Sequence, residues 1–136
     1  MLAAVSGSEN IVTSPTDLAL LYRSLGKGEL FDLSTLEKMM TVSPLSMVYE
    51  NDGSTSGYGL GIGVRINEDE DETVIFHDGE LGNKSSVFYS FKYDIAAACM
   101  TNNPESSNSA ITMMNKAYRD FIDNGLSEDI DDISVK

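Results

Sequence analysis

Residues 73–102 read TVIFHDGELGNKSSVFYSFKYDIAAACMTN, and three runs inside this stretch decide the fold. Thr73–His77, Ser85–Lys92 and Ile95–Asn102 are short and rich in β-branched, aromatic or small apolar residues, which predicts three strands. Only Tyr93 and Asp94 separate the last two runs, a link that suits an antiparallel hairpin. Upstream, YGLGIGVRI at 58–66 alternates strictly. Tyr58, Leu60, Ile62, Val64 and Ile66 face one way, and Gly59, Gly61, Gly63 and Arg65 the other. The pattern predicts a fourth strand with one bare face, where another backbone can approach closely. The link Asn67–Glu72 reads as a solvated acidic turn, without the glycine and final ligand spacing of a calcium-binding loop.

Helices flank these strands. Ser14, Pro15 and Asp17 form a helix start: a capping hydroxyl, a proline suited to the first helical position, and a box-like acid. Leu18, Leu20, Leu21 and Leu25 follow at helical spacing beside Tyr22, and Gly26 and Gly28 end the run. Ser34–Glu37 repeats the capping logic for a short helix to about Thr41, which Pro44 keeps from extending. From Ser106 to Asn124 a long helix is expected, its apolar face made by Ile111, Met114, Ala117, Tyr118, Phe121 and Ile122. Two helices, about four antiparallel strands and a long covering helix predict an α+β fold over residues 1–125. The acidic stretch 126–136 is expected to be a disordered tail.

A net charge of −13 disfavours nucleic acid and anionic membrane surfaces as partners. One cysteine, Cys99, excludes an internal disulfide and a cysteine-based zinc site, and its apolar run suggests a buried core thiol. No apolar run is long enough to span a bilayer as a helix. One histidine and scattered carboxylates give no metal-ligand spacing. The glycines at 59, 61 and 63 lie inside the strand pattern rather than before a helix, so they are no dinucleotide fingerprint, and no cofactor is implied.

Five segments in register resemble a known family. Ser14–Leu18 resembles the "STPxDL" helix start of class C β-lactamase-like proteins. Phe31–Met39 is similar to their "LSPESLEEM", and residues 58–63 to their "YGLGWG" strand. His77–Ser86 looks like "HxGxxxGxxSS", and Ile95–Asn102 like the "GVVVLTN" strand that follows it. The resemblance implies a penicillin-binding, transpeptidase-like serine hydrolase fold. Its members include β-lactamases, D-alanyl-D-alanine carboxypeptidases, esterases and non-enzymatic sensors, and the parent is expected in the cell envelope or outside the cell.

Such hydrolases need a nucleophilic Ser with a Lys one helical turn on (S-x-x-K), a Y-x-N element, and a K-T-G or H-x-G element on a strand beside the cleft. By resemblance His77, Asp78 and Gly79 supply that third element. His77 would face the cleft, Gly79 would let substrate lie on the strand, and the backbone N–H of Glu80 would serve as an oxyanion donor. Asp78 and Gly82 would line the substrate, although Glu80 departs from the small residue common there. Ser24-x-x-Lys27 and Tyr49-x-Asn51 match the other two patterns by letter. With 17 serines and 6 lysines in 136 residues, about one S-x-x-K is expected by chance. Ser24 also ends its helix instead of starting one, and Gly26 intervenes before Lys27.

The expectation is therefore a C-terminal fragment that is inactive alone. Its parent would act on a small peptide-like, β-lactam or ester substrate. Its partner is either the missing N-terminal part of the fold or a second copy paired through an exposed strand edge. Two other readings stand beside it: a non-catalytic peptide- or protein-binding module of the same fold, and an unrelated acidic α+β domain.

Overall fold

A computed structural model describes residues 11–79, 84–103 and 107–125. Helices α1 (Pro15–Gly26) and α2 (Leu33–Met39) come first, followed by a single 3-10 turn at Pro44–Ser46. Strands β1 (Val48–Tyr49), β2 (Thr55–Tyr58), β3 (Gly63–Asn67), β4 (Glu72–Gly79), β5 (Lys84–Ser90) and β6 (Ile95–Thr101) follow, and α3 (Ser107–Asn124) closes the described chain. The strands form one sheet in sequence order, β1 to β6, with every neighbouring pair antiparallel.

The α+β class and the antiparallel ribbons are as expected, but the strands number six rather than four. Two β-hairpins account for the difference. Residues 58–66 are not one strand: Tyr58 pairs with Gly63, so the chain reverses between them. Gly59 N–H donates to the Ile62 carbonyl at 2.9 Å, and Gly61 takes a left-handed φ of +81° that few other residues tolerate. Alternation with period two runs through such a turn unbroken, so pattern alone does not reveal it. The bare-face expectation holds at Gly59, where an added Cβ would overlap the Met39 carbonyl oxygen. Leu60 N–H donates to that same carbonyl at 2.8 Å, which ties the turn to the end of α2. The other addition is the short pair of β1 with β2, formed inside a segment read as loop.

Helix α1 starts as expected, with the Ser14 hydroxyl accepting from Asp17 N–H at 3.1 Å. The cap of α2 is Asp32 rather than Ser34: its carboxylate accepts from Thr35 N–H at 2.7 Å and from the Ser34 hydroxyl at 2.8 Å. Gly125 follows α3 at φ +71°, the left-handed stop that glycine favours.

The pleat sorts the core into two faces. Val64, Ile75, Tyr89 and Ala96 stand in one cross-strand row, with Val87 and Ala98 beside them. This face packs on Leu18, Tyr22 and Leu25 of α1 and on Leu36 of α2. The opposite face carries Val74, Phe88, Ile95 and Ala97, and packs on Met114, Tyr118 and Ile122 of α3, residues one helical turn apart. The α3 stripe is narrower than its sequence suggests, since Ala117 and Phe121 are exposed.

The acidic turn is not uniformly solvated. Residues 68–71 are exposed, but the Glu72 side chain is buried, accepting from Ser90 Oγ at 2.9 Å and from the Tyr118 hydroxyl. Burial, then the hydrogen bond to Glu72, pushes the Tyr118 phenol well above its ordinary value. Arg119 NH1 reaches Glu70 at 2.7 Å, so the turn and α3 are joined by a buried and a surface polar contact.

Candidate functional site

The antiparallel pairing of β4 with β5 sets His77 opposite Val87 and Gly79 opposite Ser85. Successive residues on a strand point to opposite faces, so His77 lies on the α1 side. Asp78 points to the α3 side, where it lines a cavity of about 470 Å3 with Arg65, Phe76, Ser86 and Phe88. His77, Asp78 and Gly79 thus sit together along the backbone, while the His77 and Asp78 side chains take opposite faces. Glu80 and Gly82 lie outside the described residues.

His77 is exposed. Its Nδ1 is 2.9 Å from the Asp78 carbonyl oxygen. A carbonyl only accepts, so in this contact Nδ1 carries the hydrogen; in that neutral tautomer Nε2 is an acceptor, and among the described residues it has no hydrogen-bond partner. Tyr58 packs edge-on against the imidazole, centroids 5.7 Å apart and planes at 78°. The same ring meets Phe76 edge-on at 6.4 Å. Phe76 in turn lies over Gly63, where an added Cβ would come within 2.5 Å of the ring.

Two phenols belong to this neighbourhood. Tyr22, buried on α1, is pushed up to about 12, first by burial and then by the charges of Tyr58 and Asp78. Tyr58 is also raised, by burial and then by Asp78. Both phenols stay protonated at neutral pH and are hydroxyl donors there. Sequence reading passed over both as core or strand residues. The signal for Tyr58 lay in the glycine turn: once the chain reverses at 59–62, Tyr58 falls two strands from His77.

The family model for beta-lactamases matches residues 1–116. The chain belongs to the beta-lactamase family. Comparison with curated proteins and with solved structures gives no match.

The beta-lactamase signature by letter at Ser24 and Lys27 does not form a catalytic pair here. Ser24 Oγ donates to Glu29 Oε2 at 2.8 Å, and Lys27 Nζ donates to Asp94 Oδ2 at 3.0 Å. A lysine acting as base must face the serine hydroxyl, and these two side chains serve different carboxylates. Helix α1 ends at Gly26, which leaves Lys27 as its C-cap. Tyr49 is 81% exposed on the outermost strand, β1, far along the sheet order from β6. Cys99 is half-buried rather than enclosed, and burial raises its thiol. Among the described residues no cluster of histidine, cysteine and carboxylates has a metal-binding arrangement.

Proposed function

We propose that this beta-lactamase-family chain supplies the sheet wall of a serine hydrolase site, and that the nucleophilic serine and its lysine come from outside these 136 residues. The substrates of that site are β-lactams, peptides of the D-alanyl-D-alanine type or small esters. The observation that carries the reading is the fate of the one S-x-x-K in the sequence: its hydroxyl and ammonium bind separate acids. The exposed imidazole of His77, by contrast, has Nε2 without a partner among the described residues, on the H-x-G segment at the end of β4.

In this site the serine oxygen attacks the substrate carbonyl carbon while the lysine amine takes its proton. The negative charge that gathers on the carbonyl oxygen is met by the backbone N–H following Gly79. Neutral His77 accepts a hydroxyl proton at Nε2; protonated, it donates there to a substrate carboxylate. The α1–α2 side supports the reading too. Leu21, Leu30, Phe31 and Leu33 remain 43–58% exposed, apolar surface on which further chain can pack.

The test is acylation followed by intact mass. The 136-residue chain, incubated with a chromogenic cephalosporin, should gain no acyl adduct. Extended at its N-terminus by a family segment bearing Ser-x-x-Lys, it should acylate, and His77→Ala should slow that step about 100-fold. An adduct on Ser24 of the unextended chain defeats the claim of incompleteness. An unchanged rate in the His77→Ala extended chain removes His77 from the site.

A further inference from the structure

We infer that Tyr58 is a positioning residue for His77: its ring, standing edge-on beside the imidazole, holds that imidazole in the orientation the acyl-transfer site uses. The inference rests on the reading of His77 as part of that site. The His77 side chain is exposed, so its orientation depends on few neighbours. Among the described residues two directed contacts reach the imidazole. One comes from its own backbone, Nδ1 to the Asp78 carbonyl oxygen at 2.9 Å. The other is Tyr58, with centroids 5.7 Å apart and planes at 78°.

The strand register explains how a residue two strands away comes to touch His77. The β3–β4 ladder ends at the pair Gly63 and Phe76, so no β3 residue stands opposite His77. Tyr58 pairs with Gly63 from the β2 side. Gly63 has no side chain to block a ring leaning across it. The space a Gly63 side chain would take is held by the Phe76 ring, which Tyr58 meets edge-on at 6.4 Å. Phe76 and His77 point to opposite faces of β4, so one ring touches both only from beside the start of β3.

The backbone under Tyr58 is held on both sides. A Cβ added at Gly57 would overlap Val42, and one added at Gly59 would overlap the Met39 carbonyl oxygen. Ser46 Oγ accepts from Tyr58 N–H at 3.4 Å and donates to the Tyr58 carbonyl at 3.3 Å. The ring that rises from this clamped stretch is nevertheless 43% exposed, whereas Tyr22 and Tyr89 in the core are buried. Burial therefore accounts for little of its placement, and the part of it that is enclosed faces Phe76 and His77. An unconfined imidazole spreads over about three χ1 wells and about two ring settings. An edge-on aromatic contact is directional, so a fixed Tyr58 ring favours one of them. The setting it favours is the one in which Nδ1 meets the Asp78 carbonyl and Nε2 is turned to the exposed side.

The chain has one histidine, so nitrogen–proton NMR of the whole 136-residue chain reads this imidazole without ambiguity. In the wild type the neutral ring should carry its hydrogen on Nδ1, as the Asp78 contact requires. Tyr58→Ala should move the signals toward the Nε2–H form that a free imidazole prefers. Tyr58→Phe keeps the ring and should leave them at the wild-type positions. In the chain extended by a family segment bearing Ser-x-x-Lys, Tyr58→Ala should slow acylation by the chromogenic cephalosporin roughly six-fold, the number of settings a freed imidazole shares. On a His77→Ala background the same change should cost nothing more. Unchanged imidazole signals in Tyr58→Ala overturn the positioning role and leave His77 in the site. So does a Tyr58→Phe chain as impaired as Tyr58→Ala, or a Tyr58→Ala penalty that persists without His77. An unchanged rate in His77→Ala is the different failure: it removes His77 from the site, and the role of Tyr58 falls with it. Where circular dichroism shows that Tyr58→Ala does not fold, Tyr58→Leu, bulky but without a ring, takes its place in each measurement.

Discussion

A methyl group on Gly59 would overlap the Met39 carbonyl oxygen, a backbone atom already held by Leu60 N–H. Neither side can yield without opening the turn, so Gly59→Ala should destabilise by about 1–3 kcal/mol, read as a lower urea midpoint. Gly61 is limited by conformation, not space: an added Cβ meets nothing nearby, yet its φ is +81°. Glu72 makes the second residue-scale prediction. Glu72→Leu leaves the Ser90 hydroxyl and the Tyr118 phenol without their acceptor, and should cost about 1–3 kcal/mol in the same measurement. Residues legible in the sequence were those with a local signature. Ser14 announced its cap, and His77 stood out as the one histidine beside a glycine pair. Glu72 was read as solvated because its neighbours are acidic and its partners are remote in sequence, Ser90 by 18 residues and Tyr118 by 46. Tyr22 and Tyr58 were missed for the same reason: what places them is tertiary pairing.

Elements meet at the β5–β6 turn. Asp94 sits there at φ +53°, a backbone setting that Asp and Asn accept more readily than most residues. It receives Lys27 at 3.0 Å, Arg23 at 2.7 Å and the Tyr89 hydroxyl at 3.2 Å, fastening the end of α1 to the hairpin. The Lys27 and Arg23 hydrogen bonds hold its carboxyl at about 2, below the usual 3.8. A depressed carboxylate contributes stability that is complete above the unfolded value and is lost as pH falls toward the folded one. Asp94→Asn, which keeps the turn conformation, should therefore flatten the part of the stability profile between about pH 4 and pH 2, seen as a shrinking gap to wild type in thermal melts. Strands β4, β5 and β6 were readable because each is a bounded run of strand-forming residues. The β2–β3 hairpin was not, since four residues of turn continue the alternation of glycine with apolar side chains. Strand β1 has two residues and no pattern to read.

At the scale of the whole molecule, charge opposes compaction. A chain carrying −13 repels itself, and salt screens that repulsion over roughly 10 Å at 0.1 M. Raising sodium chloride from low to moderate concentration should raise the melting temperature; a flat or falling response would mean that the ion pairs at Asp94 and Glu70 outweigh the net repulsion. The fold class was legible as a whole because the order of helices and strands limits the layers that can bury their apolar faces. The proposal that the serine lies elsewhere rests instead on where Ser24 and Lys27 send their hydrogen bonds, which no letter pattern encodes.

The sequential strand order has a kinetic consequence. Each strand lies against the one synthesised just before it, so the sheet forms by short loop closures, which cost little chain entropy. Refolding from denaturant should then build sheet signal early, at a rate set by local hairpins, with docking of α1 across the later strands as the slower event.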